Sequence, residues 1–189
     1  MSDHFAILGQ PRRPWLEEEA LKDAFHRATA QEHPDIAGGS GEKAAALNAA
    51  YAALRDPAAR LKHLLELEWP DRGVASAAIA PELADLFGKI AALRQAGAAL
   101  KKKEAAAQSP LGRALLAGEK AAHRRDLETA LAMLSAGETS ARENLRLLDT
   151  GWSQRQDATH DLLAAVQQNF AFLAKWQAQL REDLFQLGG

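Results

Sequence analysis

The chain has no cysteine among its 189 residues. That excludes disulfides, thiolate nucleophiles and cysteine-ligated metals, and leaves the redox compartment open. Aromatic residues are few: six Phe, four Trp and one Tyr. β-Branched residues are also scarce, which argues against sheets. Neither sign of charge dominates, since 23 Lys and Arg face 25 Asp and Glu for a formal net charge of −2. A general polyanion binder carries a basic excess, so no nucleic-acid partner is expected. No apolar run approaches the ~20 residues of a membrane span, so no membrane partner is expected either. The start, Met1-Ser2-Asp3-His4, lacks the basic lead and apolar run of a signal peptide. The expectation is a soluble, cytoplasmic protein. What the chain does hold is apolar mass, 47% of its residues. Much of it is alanine, which favours helix and lets helices approach closely but buries little area per residue.

Apolar spacing of threes and fours runs through most of the sequence and predicts an all-α fold. A short segment from Asp3 to Leu8 carries Phe5, Ile7 and Leu8, with Asp3 as its cap and Gly9 as its end. Gln10 to Pro14 reads as a loop. A helix from about Leu16 to Glu32 has Glu17, Glu18 and Glu19 in its first turn and Leu21, Ala24, Phe25 and Ala28 as its buried stripe. It should stop near His33, because Pro34 disfavours helical geometry in the residue before it. Pro34, Asp35 and Gly38-Gly39-Ser40-Gly41 form a loop before a helix from about Glu42 to Leu54, striped with Leu47, Ala50, Tyr51 and Leu54. The simplest packing is an antiparallel hairpin with Leu21 and Phe25 against Leu47 and Tyr51. Pro57 opens a fourth helix bearing Leu61, Leu64, Leu65 and Leu67.

Trp69-Pro70-Asp71-Arg72-Gly73 breaks the pattern. This divides the chain into an N-terminal domain over 1–70, a linker over 71–80 and a C-terminal helical domain over 81–189. In the last, one helix is expected from about Pro81 to Ala107, with Leu83, Leu86, Phe87, Ile90, Leu93 and Leu100 inward. A second is expected from Leu111 to Ala136, ended by Gly137. A third should run from Thr139 on a seam that includes Leu145, Trp152, Leu162, Phe170, Trp176 and Leu187, with Gly151 free to kink or split it. Three long helices on short connections imply an antiparallel three-helix bundle.

Few residues invite chemistry. Lys101-Lys102-Lys103 and His123-Arg124-Arg125 read as solvated helix turns, given the negative net charge. Glu66/Glu68 and Asp157/Asp161 lack a third ligand, and His63 and His160 lack zinc spacing, so no metal is expected. Trp152 and Trp176 are assigned to the bundle core. Gly38-Gly39-Ser40-Gly41 lacks the lysine and strand of a phosphate loop. Nothing assembles nucleophile, base and oxyanion stabiliser, so there are no catalytic residues, no cofactor is implied and the chain is not expected to be an enzyme.

One tripeptide stands out: His33-Pro34-Asp35, between two opposed helices. Together with "FAILG" near the start, the Leu21/Phe25 stripe, "LNAAYAALRDP" and Arg60, it makes the first seventy residues resemble a J-domain, the module of DnaJ-type co-chaperones. The ending "DPAARLKHLLEL", followed by helices, is most similar to the HscB subfamily, a J-domain joined to a three-helix bundle.

The resemblance implies a partner, a DnaK/HscA-type ATPase chaperone of the seventy-kilodalton heat-shock class, whose hydrolysis the loop stimulates. Asp35 would offer a carboxylate to a cation on that partner, His33 a hydrogen-bonding ring, and Pro34 would hold the backbone so that both point outward. The family's basic face maps to Lys22, His26 and Arg27. Asp23, Gln31 and Glu32 depart from it, so a weak or selective electrostatic contribution is expected. The resemblance also implies a client on the bundle, contacted through Leu83 and Phe87, and the iron–sulfur cluster scaffold is the candidate. The acidic residues expected beside them are not evident. An alternative of another class is a helical interaction or oligomerisation protein whose J-domain is degenerate.

Overall fold

The computed structural model describes residues 2–31, 41–72, 81–152 and 157–188, with the side chains of 81–83 and 157–158 outside the description. Among the described residues every regular element is a helix: α1 (His4–Ile7), α2 (Glu18–Gln31), α3 (Gly41–Arg55), α4 (Pro57–Glu68), α5 (Pro81–Ala106), α6 (Pro110–Thr150) and α7 (Asp157–Gly188). They form two compact units, Met1–Ala77 with Ala141–Phe170, and Ala78–Ser140 with Ala171–Gly189. Helices α6 and α7 therefore lend a part of themselves to each.

In the first unit, local chemistry starts each helix. Asp3 caps α1, its carboxylate accepting from the backbone N–H groups of Phe5 (3.0 Å) and Ala6 (3.2 Å). Gly9 leaves α1 at φ +59°, the left-handed region that suits glycine. Asp56 caps α4, accepting from Ala59 N–H at 2.7 Å, and Pro57 fills the first helical position, where its missing N–H costs nothing. The expected hairpin is present. Phe25 of α2 stacks on Tyr51 of α3 with ring centroids 4.3 Å apart, and Leu21, Leu47 and Leu54 are buried with Phe5, Leu8 and Leu64 in one cluster.

Arg60 and His63 are sunk into the helices of this unit and tied down. Arg60 is buried, and its guanidinium donates to the carbonyls of Pro14 (2.9 Å) and Leu54 (2.8 Å). Burial, aided by the neighbouring charge of Arg142, lowers its pKa to about 10, so it remains a cation at neutral pH. His63 is buried as well, and its Nε2 accepts from the backbone N–H of His4 at 3.0 Å. Burial and the nearby His4 push the His63 pKa down, which fits a ring that must stay neutral to accept that bond.

The ends of α6 and α7 complete the unit. Leu145, Leu163, Ala164 and Phe170 bury Leu61 and Leu65 of α4. Asp149 of α6, 6% exposed, gathers the loop before α2. It accepts from Arg13 through both carboxylate oxygens and from the backbone N–H of Trp15 at 3.0 Å.

The second unit is an antiparallel three-helix bundle. Lys103–Glu119 (2.6 Å) and Lys120–Glu104 (2.8 Å) pin the end of α5 to the start of α6 in opposite directions. Arg94–Asp183 (2.9 Å) and the Lys101–Gln186 bond set α5 and α7 parallel. Glu138, paired with Gln177 at 3.1 Å, runs α7 back along α6.

Two expectations are corrected here. Gly137 does not end a helix. It lies inside α6, which continues to Thr150, and the helix gives way to a turn at Gly151 and Trp152 instead. A lone glycine costs a helix only about 1 kcal/mol. The run from Glu138 to Asp149 repays that by burying Leu145 and anchoring Asp149. Trp152 is consequently not in the bundle core. It packs half-buried against the first unit's apolar clusters, and its indole N–H donates to the Arg12 carbonyl at 2.8 Å.

Candidate functional site

The α2–α3 hairpin presents the face singled out by sequence. Burial of Leu21 and Ala24 on one side of α2 turns the next residues outward, and Lys22, Asp23, His26, Arg27 and Gln31 are all exposed. Lys22 and His26 are one turn apart and share a face. Lys22 reaches Glu19 at 3.6 Å, a surface pair that holds it loosely. The His26 ring lies 5.7 Å from Phe25, whose stack on Tyr51 fixes the base of the face. Thr29 braces the same turn, its hydroxyl donating to the Phe25 carbonyl at 2.6 Å. The face is thus a short row of two cations and one imidazole, broken by one carboxylate. His33, Pro34 and Asp35 lie outside the described residues. They belong to the segment joining Gln31 of α2 to Gly41 of α3.

The second sequence-derived patch lies on α5. Phe87 is half-buried, its ring 5.4 Å from Phe172 and 5.6 Å from Trp176 of α7. Trp176, expected in the core, is itself half-buried, so the three rings form a partly solvent-facing aromatic group. Leu83 falls in α5, but its side chain is outside the description. Sequence reasoning missed Phe172. Its signal was the i, i+4 aromatic pair Phe172/Trp176 on one helix face.

The remaining polar clusters have structural roles. Lys103 pairs with Glu119, and Lys101 donates to Gln186. His123 is buried beneath α5, where a β-carbon at Gly97 would fall 2.7 Å from its Nε2. His160 is buried against the edge of Trp69, with Nδ1 at 2.9 Å from Asp161. Its ring bond holds the Asp161 carboxyl below the usual range. Among the described residues no group of three His, Asp or Glu side chains could hold a metal ion. None of the described helices is long and apolar enough to cross a membrane.

No family model matches the chain. Individual relatives do. A tetratricopeptide-repeat and J-domain-containing co-chaperone of Cryptococcus neoformans is 44% identical over 61 residues, 32% of this chain and 11% of that protein. The HscB co-chaperone homologue of Azoarcus sp. strain BH72 is 33% identical over 89 residues, 42% of this chain. The chain spans half the length of that relative, 50%. Among solved structures, the chaperone HscB from Vibrio cholerae shares the fold at a TM-score of 0.58 and 20% identity, over 98% of this chain and 99% of that one. The chain is similar to HscB-type J-domain co-chaperones, in sequence over 42% of its residues and in fold over 98% of them.

Proposed function

We propose that the chain is a co-chaperone that stimulates the ATPase of a DnaK/HscA-type chaperone through His33-Pro34-Asp35 and presents a client on its bundle. The observation that carries this reading is the tripeptide's position. It joins two antiparallel helices, one of which turns Lys22, His26 and Arg27 to solvent, in a chain similar to a J-domain-containing co-chaperone and to HscB co-chaperones. The chain does no bond chemistry in this account. Asp35 would make a charge-assisted hydrogen bond to a partner cation, and Lys22 and Arg27 would speed encounter with an acidic surface. Preferential binding to the hydrolysis-competent state is what biases the chaperone. Asp23, exposed in the same row, weakens the steering, so affinity should fall only gently with added salt.

The client would dock on the aromatic group of Phe87, Phe172 and Trp176, with the iron–sulfur cluster scaffold as the candidate. The experiment is single-turnover ATP hydrolysis by a cognate chaperone with and without this chain. Stimulation should appear with the natural sequence and drop at least tenfold with Asp35→Asn, a loss of about 1.4 kcal/mol or more in coupling, at unchanged helicity. Equal stimulation by Asp35→Asn removes the assigned mechanism. Absence of stimulation by the natural chain, with every DnaK-type chaperone tried, removes the reading.

A further inference from the structure

Helix α5 is unlike its two partners. α6 and α7 segregate apolar and polar residues onto opposite faces, whereas the apolar residues of α5 run round its whole circumference. Between Ala84 and Ala99 the exposed residues of α5 are mostly alanine, and the only charges are Asp85, Lys89 and Arg94. Arg94 is already spent on Asp183. A helix apolar all round is normally covered. On the α6 side this surface deepens into an open groove with Ala92 and Ala96 on one wall and Ala130 and the 48%-exposed Met133 on the other. The groove has a charge at each end. Because α5 and α6 are antiparallel, Lys89 lies level with Met133 at one end, and Asp126 lies level with Ala96 at the other.

That arrangement is complementary to itself. A two-fold axis crossing the helices near Ala92 reverses the groove end for end. It sets Lys89 of each copy level with Asp126 of the other, so that one ion pair is made twice. Two-fold dimers need such self-complementary patches. We propose that the groove between α5 and α6 is a homodimer interface, occupied by a second copy of this chain.

The patch is short and mostly alanine, so the dimer should be weak, with a dissociation constant on the order of 100 µM. The test is sedimentation equilibrium of the full chain over concentrations spanning about a hundredfold around that value. The natural chain should shift from monomer to dimer. Ala92→Glu, an exposed position near the axis, sets two carboxylates side by side and should leave only monomer, with helicity unchanged. Lys89→Asp should weaken the dimer about tenfold, since its repulsion occurs twice. Adding Asp126→Lys should recover the natural affinity by exchanging the two signs. A chain that stays monomeric throughout overturns the proposal, as does a dimer indifferent to Ala92→Glu. Failure of the charge exchange to recover affinity overturns it too. An amphipathic helix from another protein filling the groove of a monomeric chain would give the site a different occupant and would also overturn it.

Discussion

The two units are both helical, yet they are held in different ways. The first buries large side chains completely, among them Phe5, Leu21, Leu54, Leu61, Leu64 and Leu65. It also threads polar tethers through that core: Arg60 to two carbonyls, His63 to the His4 N–H, Asp149 to Arg13 and Trp15. The second has fewer fully buried large residues, Ile90, Leu127, Leu134 and Leu180, and relies on alanine, helix propensity and ion pairs at its surface. Bulk and tethers define one geometry. Small residues permit several close approaches and leave apolar surface uncovered. The unit that carries the α2–α3 hairpin is the one held by bulk and tethers.

The largest expected effect sharpens this contrast. Leu64→Ala removes a fully buried side chain where four helices converge, and should cost about 3 kcal/mol in urea unfolding. Leu116→Ala, in the small cluster with Leu100 and Leu187, should cost about 1.5 kcal/mol, since alanine-rich surroundings and an open end leave less cavity. Equal losses would break the comparison.

The tethers come next. Asp149→Ala leaves the Trp15 N–H without its acceptor and should cost about 2 kcal/mol. Arg13 adds little to that loss, because it is nearly half exposed and returns to water. Asp149→Asn keeps one acceptor and should lose about half as much. In the bundle, Arg94→Ala removes a comparable-looking pair, but an exposed one, and should cost about 0.5 kcal/mol. Thermal denaturation of the three variants side by side orders them.

Much of this was legible in the sequence, for local reasons. Asp3 and Pro57 start helices through backbone chemistry that depends on a residue or two. Leu21, Phe25, Leu47 and Tyr51 repeat at helical spacing, so the hairpin and its stacked rings follow. Lys22, His26 and Arg27 face outward because the stripe beside them faces in. What was not legible depends on distant partners. Asp149 reads as one polar residue in a leucine-rich seam, and only contact with the Trp15 backbone N–H, 134 positions away, makes it an anchor. Gly137 reads as a stop because its backbone freedom is visible and the long-range burial that overrides it is not. Gly97 and His123 carry no mark of each other at all.

Those two glycines give the smallest and finest contrast. Both sit inside bundle helices, and by propensity alone each would gain about 0.5–1 kcal/mol on replacement by alanine. At Gly137 a β-carbon would meet only Leu173 Cδ2 at 3.5 Å, an ordinary contact, so Gly137→Ala should realise that gain. At Gly97 it would fall 2.7 Å from His123 Nε2 on a ring that is 8% exposed and has little room to turn. Gly97→Ala should therefore lose about 1 kcal/mol despite the better propensity. Opposite signs in one unfolding series would show that even the loosely filled bundle has one place packed to the limit of its backbone. A gain at both would mean that His123 moves aside freely, and that the second unit tolerates crowding throughout its length.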